Sequence, residues 1–225
     1  MWQAFGEVLP QAAAVAVSPV PIVLVILMLL SAPARTNAPC FALGWSTGLL
    51  MVGLVAFVVS DTADLSSDPE AADRGSNAQV LLGLIFMALA VRQWRRRPRR
   101  GGEPSQPRLF AAVDSMSAAK AVALGLAGAI VNPKNLPLTL SAGIAISQSG
   151  ATIGGGVGAL VLFSLASSFT VFVPVALFLV LGGRTRKPLD RVKTWLVSNN
   201  SVIMITLFAV LGAWMLGAGL GLTST

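Results

Sequence analysis

The run Ala129-Ile-Val-Asn-Pro-Lys-Asn-Leu-Pro-Leu-Thr-Leu140 sets one ammonium, two asparagines and two prolines inside an otherwise apolar stretch. Outward from it, mostly apolar sequence continues from Ala119 to Ser147, enough at about 1.5 Å per residue to cross a bilayer. Lys134 then lies near the middle of a span, roughly 20 Å from either end at helical rise. An ammonium at that depth costs about 2.5–3.5 kcal/mol on insertion scales, so something must compensate it. Each proline removes a helical donor and clashes with the preceding turn, which predicts a helix interrupted between Asn132 and Leu138.

The rest of the chain supports a membrane setting. Its 225 residues are 55% hydrophobic and 11% charged, with a mean hydropathy of +0.77; a soluble domain carries about 25% charged residues. Apolar windows predict an all-α membrane protein with six transmembrane helices over 8–31, 40–60, 78–94, 119–147, 154–182 and 200–222. Ser31-Ala-Pro-Ala34 has the small residues of a signal cleavage site, but Glu7 stands where a positive n-region belongs, so the first segment is read as a span. A single Cys40 excludes an intramolecular disulfide or thiol relay, and without histidine a transition metal would need oxygen ligands alone. Nothing in the sequence calls for a cofactor, a metal or an enzyme's residue set.

Charge predicts orientation. Lys and Arg gather after spans one, three and five: Arg35; Arg92 to Lys120; and Arg184, Arg186, Lys187, Arg191 and Lys193. Basic loops stay cytoplasmic, which places both termini outside and leaves the acidic loop Asp61 to Asp73 on the outer face of a plasma membrane. The net charge of +7 therefore needs no nucleic acid. The Arg95–Arg100 cluster reads as a topology anchor on anionic membrane lipids, and Trp94 and Trp195 as an inner aromatic belt.

A weak internal repeat organises the chain. Span one is broken by Ser18-Pro-Val-Pro-Ile22 and span four by Asn132-Pro-Lys-Asn-Leu-Pro-Leu138, so residues 1–94 and 119–225 form two inverted three-helix repeats with broken helices 1 and 4. Residues 95–118, rich in Arg, Pro, Gly and Ser, are the basic cytoplasmic linker. Gly44, Gly48, Gly154 and Gly158 have small-xxx-small spacing; close helix packing is the preferred reading and a homodimer face the alternative.

Broken helices expose backbone groups, which hydrocarbon tolerates only where protein buries them or a cavity takes them. Half-helices starting near Pro21 and Pro137 would aim positive ends at the midplane, and Lys134 would add a full charge. No span interior holds Asp, Glu or a second Lys or Arg, so an anionic cargo is the expected counter-charge. The candidate substrate-binding residues are Lys134, Asn132, Asn135, Pro133, Ser18, Pro19, Pro21 and Ser167. Ser164, Ser168 and Thr170 could line the same cavity or only bond helix to helix. Against the site stands a lysine that snorkels from an interfacial loop.

These residues resemble the lysine exporter superfamily, which has inverted three-span repeats, a proline-rich break in span one and Asn-Pro-Lys in span four. Asn132-Pro133-Lys134 matches the latter directly, while Pro19-Val20-Pro21 carries valine where amino-acid exporters usually have glycine. Gly44-Trp45 also departs from the acidic residue those exporters place early in span two, which leaves a substrate ammonium without a partner. Within the superfamily the chain looks most like the peptidoglycolipid-addressing, or sulfolipid-addressing, family of mycobacteria and related actinobacteria. That resemblance runs through Ser18-Pro-Val-Pro-Ile-Val23, Ala32 to Pro39, the Gly44 segment and Val131-Asn-Pro-Lys-Asn-Leu136. It implies glycolipid export toward the cell envelope, and hence a secondary transporter or flippase-like translocator for an anionic glycolipid or lipid precursor. The alternatives are an exporter of a small organic anion or amino acid, and a non-transporting accessory protein that docks a larger lipid-export machinery through its arginine-rich loop.

Overall fold

The computed structural model describes residues 1–62, 69–95, 113 and 115–221, and among these there are helices and no strands. The linker arginines from Arg96 to Arg108 and residues 63–68 of the acidic loop lie outside the described residues. The helices are α1 (Trp2–Glu7), α2 (Leu9–Ala16), α3 (Pro19–Leu30), α4 (Ala34–Thr62), α5 (Pro69–Arg95), α6 (Ala118–Val131), α7 (Asn135–Gln148), α8 (Ile153–Ser167), α9 (Phe169–Leu181) and α10 (Arg186–Gly219).

Two of these segments are long and apolar enough to cross a membrane, Ala34–Asp61 and the run Phe169–Gly217; α2 and α3, bent by 50° at their junction, make a third if the pair is one span. Helices α6 and α8 are shorter and apolar. Large apolar side chains such as Val55, Val58, Val59, Leu177 and Val180 are exposed, a surface that suits lipid rather than water. The protein is membrane-embedded.

The expected breaks in spans one and four are both present, at Val17–Ser18 and at Asn132–Lys134. A further break, which the sequence reading did not place, divides span five at Ser168 (φ −94°, ψ 0°). Serine pairs are among the few sites where helices kink sharply, and Pro174 leaves the carbonyl of Thr170 without its helical donor one turn later.

The described residues divide between two compact units, those that fall within 1–61 and 104–197 and those that fall within 62–103 and 198–225. In the second, Phe86 stacks on Phe208 at 5.8 Å between centroids, and Gly83 lets α5 approach Gly212 and Leu216 of α10. In the first, α4 lies against α6 almost backbone to backbone. A Cβ on Gly44 would overlap the carbonyl oxygen of Val122, one on Gly125 would overlap that of Phe41, and one on Gly48 would come within 2.8 Å of the Ala129 Cβ. Gly44 and Gly48 are thus the packing glycines expected, turned toward α6 of their own chain, whereas Gly154 is exposed with open space around it. Helix α2 packs on both α7 and α8, which brings the breaks of spans one and four together.

Candidate functional site at the helix breaks

Helix α2 ends at Ala16, and its last carbonyls need partners from outside the helix. Ala13 O accepts from Val17 N at 3.1 Å, and Ala16 O from Ser18 N at 2.9 Å. The remaining acceptors draw on distant segments. Lys134 Nζ donates to Ala14 O at 2.8 Å and to Val17 O at 2.7 Å, and Thr170 Oγ1 donates to Ala16 O at 2.7 Å. One end of a broken helix is therefore closed by side chains from the junctions of α6 with α7 and of α8 with α9.

Lys134 is fully buried and has no carboxylate partner among the described residues. Sequence reasoning expected the amine to stand with two positive helix starts and no counter-charge. It sits instead on the negative end of α2, whose terminal carbonyls carry the opposite partial charge, a placement worth about 0.3–1 kcal/mol at exposed ends and up to about 2 when partly buried. Two of the three ammonium hydrogens are engaged by backbone, and snorkelling to water is excluded by the burial.

The helix starts also differ from expectation. Asn132 caps the turn that follows it: its Oδ1 accepts from Lys134 N at 3.1 Å, and its carbonyl accepts from Asn135 N at 3.1 Å and Leu136 N at 2.9 Å. Pro137 has no N–H, so the amides that open α7 already have acceptors. At α3 the first and third positions are Pro19 and Pro21, both buried, which deletes two of the donors a helix start ordinarily strands. In an apolar medium the prolines make a buried helix start cheap rather than building an anion cradle. Ser18, at the N-cap, makes no capping bond, and the third-position amide that it could have accepted from is missing at Pro21.

What remains open is a set of neutral polar groups. Both side-chain amide atoms of Asn135 and the hydroxyls of Ser167 and Ser168 are buried without a hydrogen-bond partner among the described residues, as is Gln11 Oε1 one turn before Ala14 on α2. In sequence, Asn135 follows Lys134, and Ser167 and Ser168 precede Thr170, the two residues that hold the end of α2. Ser164 is different. Its hydroxyl donates to Ser46 O at 2.7 Å, so Ser46 must donate in the 3.0 Å hydroxyl pair between them, and the two fasten α4 to α8. Pro133 is exposed on the outside of its turn and does not join the group. Ser168 and Thr170 belong to the polar run already noted ahead of Pro174, whereas Gln11 carried no pattern that singled it out and is marked only by its unsatisfied burial.

These features define a membrane-embedded helical protein with a buried polar junction made from interrupted helices, with Lys134 as its charge. The chain belongs to the SfLAP family, described as Sap, sulfolipid-1-addressing protein, whose model matches residues 8–221. No curated protein and no solved structure matches the chain. Family membership ties the protein to sulfolipid addressing.

Proposed function

We propose that the protein is a translocator that moves an anionic glycolipid or its precursor across the plasma membrane, with the headgroup docking at the junction of the broken helices. The single observation that carries this reading is that Asn135, Ser167 and Ser168, which neighbour in sequence the two residues bonded to the end of α2, bury polar side chains without a partner among the described residues. A buried polar group without a partner costs about 1–3 kcal/mol, so three such side chains at one junction favour a ligand that supplies the partners. A headgroup rich in hydroxyls and acidic oxygens has that chemistry: amide and hydroxyls take its neutral donors and acceptors, and Lys134 faces its charge.

The topology that serves this function is six spans in two inverted repeats, as in the lysine exporter superfamily, with basic loops inside and both termini outside. Helix breaks that meet near the midplane are the arrangement from which such transporters build alternating access. Two further readings, an exporter of small organic anions or amino acids and an accessory protein for a larger exporter, are separated by reconstitution. In vesicles doped with a sulfated glycolipid, the wild-type chain moves the lipid between leaflets and Lys134→Met inserts and folds but does not. Equal translocation by the two forms would overturn the proposal, and activity on soluble anions alone would move it to the small-anion reading.

A further inference from the structure

The carbonyl oxygens of Ala14 and Val17 both lie within 2.8 Å of the same nitrogen, so they converge on one fully buried point at the negative end of α2. Neutral oxygens aimed at a common centre, backed by a helix C-terminus, are the donor set that secondary transporters use for small cations at interrupted helices. Residues adjacent in sequence to the two that bond the end of α2 carry further neutral oxygens: Asn135 Oδ1 and the hydroxyls of Ser167 and Ser168 are buried with no partner among the described residues. A divalent ion is a poor fit, because no group of three His, Cys, Asp or Glu occurs among the described residues and carbonyls alone leave most of its charge uncompensated.

We propose that the end of α2 is a monovalent-cation site, which the Lys134 ammonium occupies in this conformation as a tethered ion. When the lysine turns to an anionic headgroup, a free Na⁺ or K⁺ replaces it on Ala14 O and Val17 O, because bare carbonyls at that depth have no water to take up their bonds. The turn of the lysine rests on the function proposed above; the site at the end of α2 does not. Cargo binding and small-cation binding are then coupled, with the amine passing between the two.

The test uses the purified full chain and thermal unfolding in NaCl, KCl and N-methyl-D-glucamine chloride at equal ionic strength. Lys134→Ala empties the site, so its Tm rises by about 5 °C in Na⁺ or K⁺ over the bulky cation, while the wild type is indifferent to the salt. Equal Tm values for the variant in all three salts would overturn the site. Should Lys134→Ala not fold, the wild type decides: the thermal shift produced by a sulfated galactosylceramide requires Na⁺ or K⁺, and the same shift in N-methyl-D-glucamine sinks the proposal. If that lipid shifts nothing in any salt, the proposed cargo fails, and an ion-dependent Lys134→Ala still upholds the cation site.

Discussion

Lys134 Nζ lies 2.7 Å from the carbonyl oxygen of Val17, a residue 117 positions away in the sequence. That one bond joins the break in span one to the break in span four, and a second to Ala14 O holds the same helix end. The amine is thus both the strut of the junction and, among the described residues, its only formal charge. Any cargo that draws the lysine toward itself loosens α2, which gives binding a mechanical consequence inside the fold.

Thr170 works from the other side of the same helix end. Thr170→Val keeps the shape and removes the donor to Ala16 O, which retains only the Ser18 amide. The expected loss is about 1 kcal/mol, read as a fall in Tm of about 2–4 °C for a chain of this size. An unchanged Tm would mean that the α8–α9 break is not fastened to α2 through this hydroxyl.

Ser168 should behave oppositely. Its hydroxyl is buried without a partner among the described residues, so Ser168→Ala relieves a desolvation cost and raises the Tm of the cargo-free protein by about 2–4 °C. The same substitution should weaken stabilisation by a sulfated glycolipid, because the alanine offers the headgroup nothing. A lower cargo-free Tm would show that the hydroxyl has a partner after all, and an undiminished lipid shift would remove it from the site.

Much of this junction was legible in the sequence because charge and proline are conspicuous in apolar surroundings. Lys134 stood out as an ammonium without a carboxylate, and the proline pairs marked two breaks at matching places in the two halves. The break at Ser168 was not legible, since serine is tolerated in membrane helices and the kink falls one and a half turns before Pro174 rather than at it. The acceptors of the lysine were hidden for a deeper reason. Backbone carbonyls have no residue signature, and which helix end faces Lys134 depends on the packing of α2 against α7 and α8. Local pattern also misjudged the prolines: they read as openings for an anion, while the hydrogen-bond count at Asn132, Pro137, Pro19 and Pro21 shows donors removed or already taken.

The glycine contacts supply a stringent check on the α4–α6 packing. Gly44→Ala drives a methyl into the Val122 carbonyl, a backbone group that cannot rotate away, so the helices must separate. Overpacking of this kind costs about 1–3 kcal/mol or more, and Tm should fall accordingly. Gly154→Ala, with open space around it, should hold or slightly raise the Tm through better helix propensity. If the two variants melt alike, α4 and α6 do not approach as closely as described.

Pro21 and Ser18 form the last pair to test, because one residue determines what the other is free to do. Pro21→Ala restores an amide at the third position of α3, which a serine at the N-cap, as Ser18 is, can accept. Stability should therefore change little, yet the serine is withdrawn from the junction and translocation falls. In the double variant Ser18→Ala/Pro21→Ala the restored amide has no acceptor in an apolar setting, and the expected loss is about 1–3 kcal/mol. The coupling is read from a double-mutant cycle on Tm together with the lipid-translocation rate. A strictly additive cycle would mean that proline at this position does not free the serine, and that the paired prolines of span one serve only to bend the helix.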